Sequence, residues 1–457
     1  MEYNHIHLIG IGGISMSGIS QILAKEGYKV SGSDLNQGKM IDKLINMGIE
    51  VSIGHNKDNV KGADLVVYSS AIPEDNVEIE YARENNVPIM KRAQFIAKLM
   101  GEKKGIAISG THGKTTTTAL ISSLFKKGGM DPTILVGGEL GDIGNSYRGT
   151  GEYFITEADE SDGSFLYFDP EIIVVTNIEL DHHSYYNNKQ ELLNIFEKFI
   201  SKVPDRGKAI LCSDDKYLNK LIQRNNFNML DYGINSGTIR AVDINLLPFG
   251  SYFTVKYNQK KLGEINLQIP GIYNIKNSLA AIATGMFVGF SFGEIKNIIE
   301  TFTGVKRRFE KKGLIDDILV IDDYAHHPTE IIETLKAAKN TGYNRVVAVF
   351  QPHLYSRTKH LLKEFSESFD LVDKLIVTDI YGAREDPVEG VHSKKLVEMI
   401  QVNSDIDVKY IQEFDDIVFH LKKILKPKDL LLTVGAGDVY KIGERLLSEV
   451  KDRTTRR

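Results

Sequence analysis

The stretch IAISGTHGKTTTT, residues 106–118, places a glycine-rich loop between a predicted β-strand and a predicted α-helix. A phosphate-binding loop needs backbone amides, a lysine for the β- and γ-phosphates and a hydroxyl group for magnesium. Gly110, Gly113, Lys114 and Thr115 supply all three at this junction. The spacing departs from the common GxxxxGK[ST] pattern, because Ile108 occupies the first glycine position. The alternative, a threonine-rich helix start that binds nothing, leaves the lysine without a purpose.

Runs rich in Ile and Val alternate with helical segments through most of the chain, which is typical of α/β folds with parallel sheets. We predict three α/β domains, over residues 1–103, 104–312 and 313–457, with a charged, glycine-flanked linker at 101–105. In the middle domain, residues 238–269 alternate without helical signals. They predict a small antiparallel sheet attached to the parallel core.

Composition and charge argue against a nucleic-acid-binding, disulfide-bonded or membrane-spanning protein. The chain has 457 residues and a formal charge of -5, which argues against electrostatic binding to nucleic acid. One cysteine, Cys212, excludes an intramolecular disulfide and a cysteine-based zinc site. The N-terminus lacks signal-peptide features, and the longest apolar stretch, residues 278–292, is too short for a membrane span and predicts a packed helix. We therefore expect a cytoplasmic protein without a membrane partner.

The predicted first domain opens with a strand, HIHLIG, followed by the glycine turn GIGGISMSG at residues 10–18. Closely spaced glycines let the backbone approach a pyrophosphate, and the following helix offers its N-terminal amides to the anion. Asp34 ends the next predicted strand, where an acid can accept hydrogen bonds from a ribose. Nucleotide binding follows, with NAD as only one candidate. A tight turn that binds nothing is the alternative.

Acidic and histidine side chains follow two further predicted strands of the middle domain. They are Glu157, Asp159 and Glu160 after one strand, and Asp181, His182 and His183 after the other. Side chains at the carboxyl ends of parallel strands converge on a bound nucleotide. Oxygen ligands suit Mg²⁺ held together with substrate phosphates, and a histidine could act through a bound water. Solvated loop tips are the alternative.

Three polar strings follow successive strands of the predicted third domain. They are DDYAHHP at residues 322–328, QPHLYSR at 351–357 and GAGD at 435–438. Any one of these histidines alone would be a surface or core residue. Three such clusters at one sheet edge instead predict a functional site.

Together these strings resemble the Mur ligase family, and most closely its L-alanine-adding members, across nearly the whole chain. GTHGKTT is similar to the family's GTxGKT phosphate loop. Seven strings occur in order, namely GIGGISMSG, SSAIPEDN, EADESDGSF, TNIELDHH, GVKRRFE, DDYAHHPTE and QPHLYSRT. The resemblance implies a Rossmann-like N-terminal domain for the UDP-substrate, a P-loop-type central ATPase domain and a Rossmann-like C-terminal domain for the amino acid.

The resemblance further implies an ATP-dependent ligase that joins L-alanine to the carboxylate of UDP-N-acetylmuramate through an acyl phosphate. ATP and Mg²⁺ are the implied cofactors, and peptidoglycan precursor synthesis is the implied process. The resemblance leaves the oligomeric state open.

Site residues are carried over position by position. The predicted ATP contacts are Gly110, Thr111, His112, Gly113, Lys114, Thr115, Thr116, Asn274, Asn277, Arg308 and Asp322. The predicted UDP-substrate contacts are Gly12, Gly13, Ile14, Ser15, Asp34, Ser69 and Ser70. The implied magnesium ligands are Thr115, Glu157 and His182, and the implied amino-acid contacts are Tyr324, His326 and Arg357. The predicted catalytic residues are Lys114, Glu157, His182, His326 and Arg357.

Three positions depart from the family pattern. Tyr273 replaces the histidine of the HNxxN motif, and Ala325 replaces a glycine in DDYGHHP. Leu354 stands where some members carry a second arginine, which leaves Arg357 as the expected anchor for the amino-acid carboxylate.

Alternative functions explain less of the chain. A nicotinamide-dependent dehydrogenase would account for the glycine turn but not for GTHGKTT. A non-catalytic nucleotide switch would account for the phosphate loop but would not need the strings at 322–328 and 351–357. The nearest rivals are other Mur-type ligases, which add D-glutamate or reattach a tripeptide to UDP-N-acetylmuramate.

Overall fold

The computed structural model describes residues 2–101, 103–180, 186, 188–383 and 385–455, without the side chains of residues 142 and 450–455. Within these residues the chain forms three α/β domains, each built around one sheet. The predicted fold class is confirmed. The domain boundaries at 103/104 and 312/313 stay predictions.

The N-terminal domain holds a five-stranded parallel sheet in the order β3-β2-β1-β4-β5. Its strands are β1 (His5–Ile9), β2 (Lys29–Asp34), β3 (Glu50–Ile53), β4 (Leu65–Tyr68) and β5 (Ile89–Lys91). Its helices are α1 (Ile14–Lys25), α2 (Lys39–Asn46), α3 (Val77–Glu84) and α4 (Arg92–Met100). The strand order reverses at β1, so a crevice opens between the loops that follow β1 and β4, where ligands of such sheets bind.

The central domain holds a ten-stranded sheet in the order β15-β14-β13-β12-β11-β10-β6-β9-β7-β8. Its strands are β6 (Lys104–Ser109), β7 (Thr133–Leu140), β8 (Gly144–Tyr147), β9 (Tyr153–Glu157), β10 (Ile172–Val175), β11 (Lys208–Cys212), β12 (Met229–Gly233), β13 (Ile239–Leu247), β14 (Gly250–Tyr257) and β15 (Lys260–Leu267). Its helices are α5 (Lys114–Lys127), α6 (Lys189–Ile200), α7 (Lys216–Arg224), α8 (Ile272–Val288) and α9 (Phe292–Ile299). The predicted antiparallel strands are β13 to β15, and they extend the main sheet because β13 pairs with β12.

The apolar segment 278–292 forms parts of two helices rather than the single packed helix predicted from it. Helix α8 ends at Val288, and Gly289 follows with a left-handed φ of 106°. Ser291 then caps α9, where its side chain and that of Glu294 form a capping box. None of the helices in the described part of the chain is long and apolar enough to cross a membrane.

The C-terminal domain holds a six-stranded sheet in the order β16-β17-β21-β18-β19-β20, parallel except for β16. Its strands are β16 (Glu310–Ile315), β17 (Ile318–Asp323), β18 (Arg345–Phe350), β19 (Lys374–Val377), β20 (Asp407–Tyr410) and β21 (Asp429–Val434). Its helices are α10 (Pro328–Lys339), α11 (Tyr355–His360), α12 (Leu362–Ser366), α13 (Ser393–Asn403), α14 (Phe414–Ile424) and α15 (Tyr440–Thr455). The three polar strings of this domain follow β17, β18 and β21, which are neighbours in the sheet.

A buried amide joins the first two domains. The side chain of Asn145, on β8, is fully buried against α1. Its Nδ2 donates to the carbonyl of Ile14 at 2.6 Å and to Oγ of Ser17 at 2.9 Å. Its Oδ1 accepts from Nε2 of Gln21 at 3.0 Å. Asn145 therefore connects the start of α1, which lies within the glycine turn, to the central domain.

Candidate active site

The phosphate loop, residues 110–113, connects β6 to α5 through two left-handed glycines. Gly110 has a φ of 123° and Gly113 a φ of 82°. A Cβ at Gly110 would lie 2.3 Å from Oγ1 of Thr176, and a Cβ at Gly113 would lie 2.6 Å from Oδ1 of Asn277. Backbone conformation and close neighbours therefore both require glycine at these positions.

Two side chains after β10 hold this loop in place. The His112 amide donates to Oδ1 of Asn177 at 2.9 Å. The His112 carbonyl accepts from Oγ1 of Thr176 at 2.6 Å and from Nδ2 of Asn177 at 2.8 Å. Sequence reasoning did not single out Thr176 and Asn177, although β10 and β6 are adjacent strands. The pairing of β10 with β6, which the sequence does not reveal, brings these two residues to the loop.

Lys114, the first residue of α5, is held by the loop and by a buried acid. Its ammonium donates to both carboxylate oxygens of Glu160 at 3.0 Å and to the Gly110 carbonyl at 2.5 Å. Burial alone would lower the pKa of Lys114, but the charges of Glu160 and Asp159 outweigh it and raise the pKa. The side chain thus carries a positive charge at the start of the loop's helix, as phosphate binding requires.

The two described residues of the predicted magnesium site, Thr115 and Glu157, lie side by side. Glu157 Oε1 accepts from the Gly137 amide at 2.8 Å, and a Cβ at Gly137 would lie 2.8 Å from Oε2. Burial raises the pKa of Glu157, against the Gly137 amide, the Lys114 charge and the Thr115 hydroxyl. A buried carboxylate beside a hydroxyl suits a small cation that prefers oxygen ligands. The third predicted ligand, His182, lies outside the described residues.

A cavity of about 510 Å³ opens between the central and C-terminal domains, next to the phosphate loop. This volume is in the range of small-molecule and cofactor sites. Six of the predicted ATP contacts line it, namely His112, Gly113, Thr116, Asn274, Asn277 and Arg308. Residues not predicted also line it, among them Tyr232, Lys276 and Asp323. The cavity therefore brings together two regions that are far apart in the chain.

The asparagines of α8 pack next to Gly113 of the phosphate loop and bond the first turn of α5. Oδ1 of Asn277 accepts from Oγ1 of Thr117 at 3.2 Å, and its Nδ2 donates to Oδ1 of Asn274 at 3.2 Å. Nδ2 of Asn274 donates to the Pro270 carbonyl at 2.7 Å. Tyr273, which replaces the histidine of the family motif, also lines the cavity, and burial raises its pKa, so its hydroxyl is a neutral donor.

Asp322 does not lie among the residues that line the cavity, whereas its neighbour Asp323 does. Asp322 instead accepts from Nε of Arg307 at 3.0 Å and from Oγ1 of Thr433 at 2.7 Å. Asp323 accepts two backbone amides at 2.7 Å, and burial raises its pKa to about 6. Successive strand residues point to opposite faces, so only one of the two acids reaches the cavity.

The predicted amino-acid contacts gather at the carboxyl ends of β17 and β18. The rings of Tyr324 and His326 lie 5.5 Å apart, and those of His326 and His353 lie 5.8 Å apart. Arg357 Nη1 lies 3.2 Å from Nδ1 of His353, and its side chain is 8% exposed. His353 thus links two predicted residues, a role that sequence reasoning missed. Nδ1 of His326 lies 3.0 Å from the Tyr324 carbonyl, which favours a proton there and leaves Nε2 as the basic nitrogen.

The predicted UDP-substrate contacts surround the crevice of the N-terminal sheet. Oδ2 of Asp34 accepts from the Gly12 amide at 2.9 Å, and a Cβ at Gly12 would lie 2.9 Å from the same oxygen. Ile14 is 36% exposed at the start of α1. Ser69 and Ser70 follow β4, on the other side of the crevice. The structure therefore places residues from three strand ends along one crevice.

A buried carboxylate supports this crevice from beneath. Glu78, on α3, is fully buried and accepts from Oγ of Ser33 at 2.6 Å. It also pairs with Nε2 of His7 at 3.5 Å and Nδ1 of His55 at 3.4 Å. Burial opposes its charge, but the contacts with His7 and Ser33 outweigh burial and lower the pKa of Glu78 to about 2. Ser33 precedes Asp34, so the network holds the end of β2.

One glutamate of the C-terminal domain contacts both predicted sites. Glu330, on α10, places Oε1 3.1 Å from Nδ1 of His112 in the phosphate loop. Its Oε2 accepts from the His326 amide at 3.1 Å. The second ring nitrogen of His112, Nε2, lies 3.0 Å from Oε2 of Glu179. Although burial opposes protonation, the charges of Glu330 and Glu179 raise the pKa of His112 to about 9.

Family models match all three domains. Residues 5–104 match the Mur ligase family catalytic domain, residues 108–285 the Mur ligase middle domain, and residues 307–437 the Mur ligase glutamate ligase domain. These matches together cover most of the chain.

Individual relatives match over nearly the full length of the chain. The UDP-N-acetylmuramate–L-alanine ligase of Clostridium acetobutylicum is 49% identical over 97% of each chain. The crystal structure of a UDP-N-acetylmuramate-alanine ligase from Thermotoga maritima is 28% identical, with a TM-score of 0.85 over 98% of this chain and 99% of that one. A murein peptide ligase structure from Psychrobacter arcticus is 25% identical, with a TM-score of 0.73 over 98% of each chain. The chain belongs to the Mur ligase family.

Proposed function

We propose that this chain catalyses the ATP-dependent ligation of L-alanine to the carboxylate of UDP-N-acetylmuramate, with release of ADP and phosphate. Relatives at 44–49% identity over nearly the whole chain carry the name of that activity. The observation that carries the proposal is the position of Glu330, which contacts His112 of the phosphate loop and His326 of the predicted amino-acid site. ATP and amino acid would thus meet across one domain interface.

A carboxylate is a poor electrophile, and phosphorylation by ATP makes it reactive toward an amine. A carboxylate oxygen of the muramyl group attacks the γ-phosphorus, and the bond between that phosphorus and ADP breaks. Lys114, kept cationic by Glu160, balances negative charge on the transferring group. The product is an acyl phosphate, which water would hydrolyse if the cavity were open to solvent.

Magnesium belongs to the same proposal. Thr115, Glu157 and His182 would hold the ion, and the first two already form a buried carboxylate and hydroxyl pair. When bound, Mg²⁺ neutralises charge on phosphate oxygens and orients them. Glu157 would bind as the carboxylate, and the cation would offset the burial that raises its pKa.

The second step would use the C-terminal domain. The amine of L-alanine attacks the acyl carbon, and phosphate leaves with one oxygen of the original carboxylate. Nε2 of His326 would take a proton from the amine, a role supported by the 3.0 Å distance from its Nδ1 to the Tyr324 carbonyl. Arg357 would pair with the alanine carboxylate and orient the attack. His353, 3.2 Å from Arg357, would hold the guanidinium in place.

The UDP part would bind in the crevice of the N-terminal sheet. The backbone amides of Ile14 and Ser15 at the start of α1 suit the diphosphate, and Gly12 and Gly13 would let it approach the backbone closely. Asp34 would accept from the ribose, with Ser69 and Ser70 on the opposite wall. A UDP-activated substrate and ATP are cytoplasmic metabolites, so we place the reaction in the cytoplasm, as a step of peptidoglycan precursor synthesis.

A phosphate-release assay tests the proposal. The full-length protein receives ATP, Mg²⁺ and UDP-N-acetylmuramate together with L-alanine, D-glutamate or the tripeptide. We expect phosphate release that depends on both UDP-N-acetylmuramate and L-alanine. Faster release with the tripeptide would assign the chain to the recycling activity instead. Binding of NAD without response to UDP-N-acetylmuramate would overturn the ligase assignment.

A further inference from the structure

Potential metal ligands converge where the central and C-terminal domains meet. Ligand atoms of His112, Glu179 and His327 all lie within 4.8 Å of one another. In the described part of the chain, no other group of three or more histidine, cysteine, aspartate and glutamate side chains is arranged for a metal in this way. None of these three residues belongs to the predicted magnesium set.

We propose that His112, Glu179 and His327 form a second cation site, for Zn²⁺ or a similar borderline divalent ion. Two imidazoles and one carboxylate are a common ligand set for zinc, whereas magnesium prefers oxygen ligands and keeps several waters. Three protein ligands leave the fourth tetrahedral position to water or to a phosphate oxygen. The site would therefore discriminate against the magnesium that accompanies ATP.

The surroundings resemble those of an organised metal site. Nδ1 of His112 lies 3.1 Å from Glu330, so a carboxylate can orient this ring through the nitrogen that does not bind the ion. Oγ1 of Thr329 donates to both carboxylate oxygens of Glu179 at 3.0 Å. The side chain of Glu179 is 40% exposed, which gives an ion access from solvent.

Binding would have two chemical costs. A histidine binds metal only when neutral, so the ion must displace the proton on Nε2 of His112, the nitrogen that lies 3.0 Å from Glu179. If His327 binds through Nε2, its ring proton moves to Nδ1 and the contact with the Thr329 amide, already long at 3.4 Å, is lost. Binding would be favoured because the cation neutralises the negative charge of Glu179 and Glu330 around His112.

The consequence would be a metal bridge between domains. His112 and Glu179 belong to the central domain, whereas His327 is the N-cap of α10 in the C-terminal domain. A bound ion would hold the two domains together and resist the opening that nucleotide exchange needs. We expect Zn²⁺ to stabilise the protein against heat and to inhibit turnover.

Equilibrium dialysis of the full-length, metal-free protein against Zn²⁺ with excess Mg²⁺ tests the site. We expect one Zn²⁺ per chain with micromolar or tighter affinity, lost in His327→Gln and in Glu179→Gln. The control His420→Gln, on α14 of the same domain, should bind like the wild type. Cobalt in place of zinc should give visible absorption bands typical of tetrahedral coordination, again only when the three ligands are intact.

The result that would overturn the site is no stoichiometric binding, or binding that both ligand variants retain. Two variants are needed because His327 also caps a helix, and each is melted without metal to confirm its fold. Dialysis needs no substrate, so its outcome is independent of the proposed ligation.

Discussion

The ammonium of Lys114 lies 3.0 Å from both carboxylate oxygens of Glu160, whose side chain is only 1% exposed. The lysine that would meet the ATP phosphates is therefore also the partner of a buried acid. Phosphates that bind Lys114 must compete with Glu160 for the hydrogen bonds of its ammonium group. The pair consequently couples nucleotide binding to the stability of the central domain.

Replacement of Lys114 by alanine should abolish ligation and also destabilise the protein. Removing one partner of a buried ion pair costs about 3 kcal/mol, because the other charge loses its compensation. The double variant Lys114→Ala/Glu160→Gln should recover stability in urea unfolding but not activity. The control Lys127→Ala, exposed at the other end of α5, should change neither. Measurable turnover in Lys114→Ala would refute the assignment of this residue to the phosphates.

Glu157 and Arg357 should fail at different steps. Exchange of label between the bridging and non-bridging oxygens of ATP reports acyl phosphate formation without L-alanine. Glu157→Gln should lose this exchange, because it weakens the magnesium-dependent step. Arg357→Ala should keep the exchange and show a raised KM for L-alanine. Equal loss of exchange in both variants would mean that Arg357 serves ATP binding or domain closure.

His112 should make stability depend on pH. Its pKa is raised from 6.5 to about 9 in the folded protein. The stabilising contribution is therefore complete below pH 6.5 and is lost as pH rises through about 9, a loss of about 3 kcal/mol. In metal-free buffer, the melting temperature of the wild type should fall toward that of His112→Gln over this range. A constant difference between the two proteins would contradict the ion pairs with Glu179 and Glu330.

Asn145→Ala should loosen the contact between the first two domains. The change leaves the Ile14 carbonyl and the Gln21 amide buried without this partner, at a cost of about 2 kcal/mol. Since Ile14 lies within the glycine turn, we expect the KM for UDP-N-acetylmuramate to rise several-fold while the KM for ATP changes little. The control Asn194→Ala, whose exposed side chain accepts from Gln190 on the surface of α6, should cost less than about 0.5 kcal/mol. Equal effects on both KM values would contradict the proposal that Asn145 positions the start of α1.

Features that depend on neighbouring residues could be predicted from the sequence. The glycine turn at the start of α1 and the loop before α5 are local strand–turn–helix units, and their residue types follow from the backbone conformation that each unit needs. The grouping of Tyr324 and His326 near His353 also follows, because carboxyl ends of parallel strands share one edge.

Features that depend on distant contacts could not be predicted in the same way. His112 and Glu330 are separated by 218 positions, and Asn145 lies 131 positions from Ile14. Nothing local marks these partners, since an isolated glutamate or asparagine is usually a surface residue. The choice between Asp322 and Asp323 needs the orientation of β17 against the cavity, which only the packed sheet defines.

The fate of one oxygen tests the central claim, that ATP activates the muramyl carboxylate before the amine attacks. UDP-N-acetylmuramate labelled with ¹⁸O in both carboxylate oxygens is incubated with ATP, Mg²⁺, L-alanine and the full-length protein, and the released phosphate is analysed by mass spectrometry. An acyl phosphate predicts one ¹⁸O in each phosphate released, because the carboxylate oxygen that attacked phosphorus leaves with it. Phosphate without label, formed at the rate of amide formation, would contradict the account.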